Sequence, residues 1–451
     1  MIADPQLARF GLFDARVPRY TSYPTAPHFG PGVGSDDFAL WVRAIPEGAA
    51  ISLYLHIPFC RRLCWFCACR TQGTATGAPV AGYLETLMAE LRLLAAILPP
   101  GIRLQRLHWG GGTPTLLGPE QISALTEAVF ALAPMAEDGE FSVEIDPMEI
   151  DGSRLDALTR AGMNRASIGV QDFDPEIQAI IGREQSYEAT EEAARGIRAR
   201  GVQSLNADIL FGLPKQTGPR IAESVEKLLA LSPDRVALYG YAHVPWMARR
   251  QGVIPSDLLP RPEERLALFE TARAFFAGDG YEEIGIDHFA RPQDGLARAR
   301  RGGKLRRNFQ GYTDDTAPVL IGLGASAISR FPQGYAQNDA TTSGYTEKIR
   351  AGRFATHRGH AFAGDDKLRG RMIEALMCDF RIDAREMARE HGIDELSLQR
   401  LFREAASAFP GMVRVSAEGF DIIEDARPLT RMIARAFDAY ELSKAGHSPA
   451  I

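Results

Sequence analysis

Between residues 50 and 330, short apolar runs alternate with longer amphipathic stretches. The runs Ile51–Ile57, Leu104–Trp109, Phe141–Ile145, Arg165–Val170, Leu205–Phe211, Arg235–Tyr241 and Tyr281–Ile286 are rich in Val, Ile, Leu and aromatic residues. Turn or polar clusters often follow them at once, as expected of strands. Between them, Val80–Leu98, Pro119–Leu132, Tyr187–Arg200, Ile221–Leu231 and Pro262–Gly278 carry apolar residues at helical spacing. Strand alternating with helix at this spacing predicts an α/β fold with a parallel sheet. Six or seven such units predict a full or partial (β/α) barrel, in which chemistry sits at the C-terminal ends of the strands. An open doubly wound sheet fits the same periodicity.

The pattern breaks at both ends. Residues 1–45 carry Pro18, Pro24, Pro27 and Pro31 around Arg19-Tyr-Thr-Ser-Tyr-Pro24, which predicts an extended tail or a loop packed on the barrel. After residue 361, Asp365–Cys378, Asp383–His391, Glu395–Phe409 and Leu429–Glu441 are predicted helices, with a hairpin over Val413–Ile423. The chain thus divides into a tail (1–45), a catalytic barrel (46–361) and a mainly α-helical, winged-helix-like C-terminal domain (362–451). Asp365–Lys444 holds 13 basic and 16 acidic residues, so despite that order of elements no nucleic-acid partner is expected.

Composition narrows the class. The chain has 451 residues, 45% hydrophobic and 24% charged, as in ordinary globular proteins, which excludes disordered, collagen-like and coiled-coil chains. Lys and Arg number 51 against 57 Asp and Glu, a net charge of −6. No apolar run approaches the ~18 residues of a membrane span, and the first residues lack a basic stretch followed by an apolar one. A cytoplasmic protein without a membrane span is expected.

Four of the five cysteines, Cys60, Cys64, Cys67 and Cys69, crowd the segment Tyr54-Leu-His-Ile-Pro-Phe-Cys60-Arg-Arg-Leu-Cys64-Trp-Phe-Cys67-Ala-Cys69. In a reducing compartment such a cluster points to metal binding or catalysis. Three thiolates at spacings of four and three can wrap one face of a small cluster from a single loop. A structural zinc site would need a closed set of four ligands, and no second Cys/His pair follows. A cubane held by three cysteines leaves one iron open for chemistry. The bland alternative is an apolar helical stripe, since i, i+4 and i+7 share one face. Arg61 and Arg62 are expected to lower the thiol pKa values.

Cys-x₃-Cys-x₂-Cys after the first strand of a β/α barrel resembles the radical S-adenosylmethionine (SAM) superfamily. The longer string through Cys69 resembles its oxygen-independent coproporphyrinogen III oxidase branch, as do Arg19-Tyr-Thr-Ser-Tyr-Pro-Thr25, His108-Trp-Gly-Gly-Gly-Thr-Pro-Thr115, Glu144-Ile-Asp-Pro147, Gly169-Val-Gln-Asp-Phe173, Gly212-Leu-Pro-Lys-Gln-Thr217, Asp287-His-Phe-Ala-Arg-Pro292 and Asn308-Phe-Gln-Gly-Tyr-Thr313. The resemblance implies a [4Fe–4S] cluster on Cys60, Cys64 and Cys67. It implies two SAM molecules, one bound to the cluster near Tyr54, Gly111, Glu144 and Ile328, the other near Phe66, Gly112, Thr113, Gln171, Arg183, Asp208 and Ala242. Gly110–Gly112 alone also reads as a phosphate-cradling turn or a bare tight turn.

The implied reaction is oxidative decarboxylation of two propionates of coproporphyrinogen III to vinyl groups, giving protoporphyrinogen IX. Cys69, Arg19 and Tyr20 are expected in catalysis, with residues 1–45 as a lid over the substrate. Arg19, His288, Arg291, Arg306 and Arg307 are candidate propionate anchors. The expected partners are the tetrapyrrole and a reduced flavodoxin- or ferredoxin-type electron donor, and a monomer is expected. A related heme-binding chaperone typically lacks both the Cys69 position and the Arg19 motif; a heme-opening methyltransferase is argued against by the latter.

Overall fold

Six strands lie side by side and parallel: β1 (Ala50–Ile57), β2 (Arg103–Gly111), β3 (Met135–Ile145), β4 (Arg165–Gln171), β5 (Ser204–Phe211) and β6 (Arg235–Gly240). The computed structural model describes residues 4–441 and 448–451. Helices that include Ala78–Ala95, Pro119–Leu132, Tyr187–Ala199, Gly218–Ala230 and Pro262–Gly278 connect the strands. Their apolar faces, such as Leu87, Leu91 and Leu94, or Ile221, Val225 and Leu228, pack with strand residues such as Leu53, Leu55, Trp109, Val143, Ile168 and Ile209 in one buried cluster.

Tyr281–Ile286, read from the sequence as one further strand of the series, is instead half of a hairpin. β7 (Glu282–Ile284) turns back through Gly285 into β8 (His288–Ala290), and β8 joins β6 antiparallel. Gly285 has φ +56°, and a Cβ there would fall 2.1 Å from the Tyr312 ring, so the apolar run breaks at that residue. On the other flank β9 (Leu320–Leu323) pairs parallel with β1, followed by the antiparallel meander β10 (Ile328–Phe331), β11 (Gly334–Asn338) and β12 (Thr356–Ala361). The twelve-stranded sheet runs β12-β11-β10-β9-β1-β2-β3-β4-β5-β6-β8-β7, with two edges. It is an open sheet that curves. Arg235 on β6 reaches within 3.7 Å of Glu140 on β3, although three strand spacings span ~14 Å on a flat sheet. The architecture is a partial barrel.

The inward face is polar, and its lowest layer is closed by ion pairs. Arg106 on β2 binds Asp314 at 2.8 Å, Arg165 on β4 binds Glu140 at 3.0 Å, and Arg235 binds Asp294 at 2.6 Å. Burial opposes ionisation of Glu140, but Arg165, Arg235 and Arg106 outweigh it and hold the carboxyl down at about 2. These residues sit toward the strands' N-terminal ends, so the polar space above them opens at the C-terminal ends.

Residues 4–45 are neither an extended tail nor a loop packed on the barrel alone. Asp4–Arg9 and Ser35–Arg43 are helices. Leu7, Leu12, Val17, Tyr20 and Tyr23 are buried in a second apolar cluster with Leu376, Met377, Phe402, Phe420 and Phe437 of the C-terminal region. That region contains helices Asp366–Asp379, Ala384–His391 and Glu395–Ser407 and a three-stranded antiparallel sheet. The helix expected over Leu429–Glu441 is shorter, Thr430–Arg435, because Pro428 holds the preceding turn as a 3-10 segment and Arg435 donates to the oxygens of Asp438 and Tyr440, ending it. Among the described residues no helix is long and apolar enough to cross a membrane.

Two stability predictions result. Behind β1, buried Glu90 accepts hydrogen bonds from Gly324 N, Asn338 Nδ2 and Tyr345 Oη at 2.8, 2.9 and 2.7 Å, and burial pushes its carboxyl up to about 7. Because the folded value lies above the unfolded one, the folded state holds the extra proton, and stability falls as pH rises from about 4.5 to 7, by up to ~3 kcal/mol. Glu90→Gln removes that slope, so its melting temperature should improve relative to the parent between pH 5 and pH 8; a constant difference contradicts this. Second, a chain beginning at Gly34 loses five side chains from the C-terminal core, each worth ~2–5 kcal/mol. Calorimetry should show the C-terminal transition lowered by at least ~10 °C or lost.

Candidate active site

The cysteine loop leaves the C-terminal end of β1 at Pro58 and returns where Phe59–Cys60 pairs with Gln72–Gly73. It contains no helix, so Cys60, Cys64 and Cys67 are not a helical stripe. All three thiols are free. Among the described residues no three Cys, His, Asp or Glu side chains converge on a point where a single ion could sit. A cubane takes each thiolate on a different iron and suits ligands that stand apart.

Arg61 and Arg62 do not provide the expected field. They turn outward, donating to Thr74 O and Glu184 O, and burial pushes the Cys60 thiol up to about 11 and raises Cys64. Only Cys67 is lowered, to about 6, chiefly by the Cys69 side chain, with Cys69 N 3.4 Å from its Sγ. The loop is gripped from outside. Trp65 N donates to Ile181 O at 2.9 Å, Gln251 Nε2 to Phe66 O at 2.7 Å, and Arg250 Nη2 to Cys69 O at 3.1 Å.

Strands β1 to β3 raise a wall beside this loop. Tyr54 Oη lies 2.9 Å from His56 Nδ1, and the Tyr54 ring stacks on His108 with centroids 5.7 Å apart. Glu144, at the exit of β3, accepts from Gly111 N at 2.9 Å and lies 3.3 Å from His108 Nε2. Burial opposes its charge, but the His108 and Gly111 contacts prevail and hold the carboxyl below its usual range. The Glu144 side chain nonetheless keeps 41% of its surface open, so it borders internal space.

Gly111 has φ +106°, and a Cβ there would lie 2.4 Å from His56. Gly112 approaches so closely that a Cβ would lie 2.5 Å from Phe59 O. Gly112 N and Thr113 N donate to Ile57 O and Phe59 O, tying this turn to the cysteine loop. The amides of Gly111 and Gly112 are thus both committed, which removes the phosphate-cradle reading. Ile328, half-buried at the start of β10, abuts Gly322, which is in register with Tyr54.

Strands β4 to β6 form the facing wall. Gln171 ends β4 at φ +69°, at a register shift. Arg183 donates to Asp146 at 2.8 Å and to Gly169 O at 3.1 Å, with Cys64 Sγ at 3.7 Å, and its Nε has no partner. Asp208 on β5 accepts from Asn206 at 2.8 Å; burial first, then the charge of Glu144, pushes its carboxyl up to about 7 against that bond. Gln251 Nε2 joins Phe66 to this wall by also donating to Ala242 O at 3.0 Å.

The remaining candidates stand apart. Tyr20 Oη donates to Asp438 at 2.9 Å and is buried, so it fastens the N-terminal segment to the C-terminal region. Arg19 donates to Gly240 O at 2.7 Å and lines a cavity with His288 and Arg307. Arg306 faces a second cavity. Arg291, expected as an anchor, lies elsewhere: it pairs with Asp279 at 2.7 Å and covers the Tyr281 ring. Sequence reasoning missed His56 and His108 as members of the Tyr54–Glu144 wall, Asp146 as the partner of Arg183, and Gln251 as a brace. The two histidines carried a signal, because Tyr54 and His56 are two apart on one strand and so share a face.

Comparison with known proteins agrees with this geometry. The family model described as the radical SAM superfamily matches residues 54–228. The chain is 66% identical to the oxygen-independent coproporphyrinogen III oxidase of Paracoccus denitrificans over 446 residues, 99% of each chain. It is 39% identical to the Escherichia coli protein of that name over 447 residues, 98% of this chain and 97% of that one. A solved structure of Escherichia coli coproporphyrinogen III oxidase, described as a radical SAM enzyme, superposes with TM-score 0.89 at 37% identity, covering 95% of this chain and 100% of that one. Similarity of this extent, on a fold whose cysteine loop faces two polar walls, shows that the chain belongs to the oxygen-independent coproporphyrinogen III oxidase family of the radical SAM superfamily.

Proposed function

We propose that the protein catalyses the oxidative decarboxylation of two propionates of coproporphyrinogen III to vinyl groups. The observation that carries this is the joining of the cysteine loop to the Tyr54–His108–Glu144 wall through the backbone of Gly111–Thr113, within a chain two-thirds identical to an enzyme of that name. Family membership implies a [4Fe–4S] cluster and SAM, and the chain fits both. Three free thiols lie on the loop, and Glu144 beside the glycine turn keeps part of its surface open toward the interior. When bound, cluster and SAM supply a carbon radical that can remove one hydrogen atom from a propionate β-carbon. Loss of CO₂ and of one electron, taken by an external one-electron acceptor, then leaves the vinyl group, so each propionate gives up one hydrogen atom and one electron.

In this reading Cys60, Cys64 and Cys67 are the thiolate ligands. Tyr54, Gly111, Glu144 and Ile328 hold the SAM nearest the cluster, with the ionised Glu144 available to a ribose hydroxyl or an ammonium group. Phe66, Gly112, Thr113, Gln171, Arg183, Asp208 and Ala242 line the space for a second SAM. Arg183, with Nε unpartnered, suits a methionine carboxylate. Asp208, poised near 7, can hold a proton or give it up near neutral pH. The two walls and the ion-paired floor screen the space from bulk water. A cytoplasmic monomer reduced by a flavodoxin- or ferredoxin-type protein belongs to the same reading.

Anaerobic reconstitution with iron and sulfide, then SAM, reductant and coproporphyrinogen III, tests it. One CO₂ and one 5′-deoxyadenosine per vinyl group are expected; 5′-deoxyadenosine without CO₂ contradicts the proposal. Cys60→Ser, Cys64→Ser and Cys67→Ser should each lose the cluster. Cys69→Ser should retain a cluster that binds SAM, because its thiol contacts Cys67 rather than serving as a fourth ligand; iron analysis and the cluster's absorption check both.

A further inference from the structure

Two stretches of the chain carry arginine and no acid. Residues 61–84, which hold the cysteine loop, and residues 236–256, which follow β6, contain Arg61, Arg62, Arg70, Arg249 and Arg250 but no Asp or Glu, although about one residue in eight of the whole chain is acidic. The structure brings the two stretches together. Gln251 Nε2 donates to Phe66 O at 2.7 Å, and Arg250 Nη2 donates both to Cys69 O at 3.1 Å and to Thr71 Oγ1 at 3.0 Å. Residues 242–254 therefore lie against the outside of the cysteine loop.

Apolar side chains stand on the same two stretches. Trp246, Met247 and Val253 are each more than half exposed, and Trp65 of the loop is 37% exposed. Seven large apolar side chains are exposed among the described residues, and these are four of them, so the concentration marks an interaction site rather than scattered surface. The backbone beneath is fixed. Val244 N donates to the buried Gln251 side chain at 2.6 Å, Met247 N and Ala248 N both donate to Val244 O, and Gln251 N donates to Ala248 O. Arg16 lies over the Trp246 ring at 4.8 Å and adds a further cation.

The charge of the five arginines is largely unopposed. Arg61 lies 4.0 Å from Glu149, and among the described residues that is the one ion pair any of the five makes. Arg62 and Arg250 spend hydrogen bonds on backbone oxygens, which bring no full negative charge. Asp257 borders the face where the second stretch ends. The whole chain carries a net charge of −6, so a negatively charged partner is drawn to this face rather than to the rest of the surface. A second copy of the chain would bring arginines against arginines.

We propose that this arginine-rimmed apolar face docks the electron donor, a small acidic flavoprotein of flavodoxin type. The exposed apolar edge of its flavin meets Trp246, Met247 and Val253, and the carboxylates around that edge meet the arginines. The docking face rests on the decarboxylase reading, which needs one electron for each SAM cleaved, and it adds the place where that electron enters. The anionic flavin hydroquinone gives up one electron and becomes the neutral semiquinone, and the cluster on the cysteine loop takes up that electron, with no proton moving. Because Gln251 and Arg250 touch the loop directly, the donor reaches it from outside without passing through the chamber.

The test uses the full chain and a bacterial flavodoxin as probe. Affinity is read from the anisotropy of labelled flavodoxin before and after reconstitution, and electron transfer from semiquinone appearance in stopped flow. The parent should bind flavodoxin and lose at least ~tenfold in affinity between ~50 and ~500 mM salt. Arg249→Glu and Trp246→Ala should each weaken binding and slow flavodoxin-driven reduction ~tenfold or more, while melting temperature and dithionite-driven 5′-deoxyadenosine formation stay as in the parent. Leu396→Ala, an exposed apolar residue of the C-terminal region, should change none of these. Unchanged flavodoxin affinity in both variants, or equal losses with flavodoxin and with dithionite, would overturn the docking face. So would binding of anionic phosphatidylglycerol vesicles, but not flavodoxin, through Arg249 and Trp246. If flavodoxin binds and reduces through this face but no vinyl product forms from coproporphyrinogen III, the face stands and the decarboxylase reading falls. If dithionite supports vinyl formation but flavodoxin does not bind, only the docking face falls.

Discussion

On the six parallel strands, the apolar face is the outer one, pressed against helices, while polar side chains point inward. Leu53, Leu55, Val143, Ile168 and Ile209 belong to the core beneath the helices, and Tyr54, His56, His108, Glu144, Asn206 and Asp208 contact one another across the interior. A barrel lined this way cannot be filled by hydrocarbon, and every buried polar group inside must find a partner. The lower layer solves this with balanced ion pairs among Arg106, Arg165, Arg235, Glu140, Asp294 and Asp314. Above it the balance is incomplete, with Asp208 raised and Arg183 Nε without a hydrogen-bond partner. In the proposed reading, that upper layer is where cluster, SAM and substrate complete the structure.

The same constraint explains the rest of the chain. The sheet stops at β7 and β12 instead of closing, so its polar interior needs a further wall. The 306–313 hairpin, the N-terminal segment and the C-terminal region supply it together, through Arg19 to Gly240 O, Tyr312 Oη to Met377 O and Tyr20 Oη to Asp438. The Arg19-Tyr-Thr-Ser-Tyr motif is part of that wall: Arg19 faces the cavity, while Tyr20 and Tyr23 face the second core.

Much of this was legible from the pattern of residues. The strand–helix alternation found six of the seven parallel strands and missed Leu320–Leu323, and the cysteine spacing with its companion motifs pointed to the family and to residues that do meet, Tyr54, Gly111 and Glu144 among them. Three things were hidden for physical reasons. The Tyr281–Ile286 run looked continuous because composition does not register the left-handed turn at Gly285. The packing of the N-terminal segment was hidden because its apolar residues have no period of their own; they match the surface of the C-terminal helices, from Asp366 onward. Arg291 looked equivalent to Arg307 because charge alone does not tell a guanidinium stacked over Tyr281 beside Asp279 from one sealed inside.

The shared core of Leu7–Tyr23 with Leu368–Phe437 also bears on the order in which the molecule can be built. As the chain emerges from the ribosome, Leu7–Tyr23 has no surface on which to settle, because the helices that receive it are made after the whole sheet. The six parallel strands and their helices can fold in the meantime around an interior still missing one side. Until helix Asp366–Asp379 and its neighbours arrive, the Arg19 side of the chamber lacks its cover, and their synthesis is what supplies it.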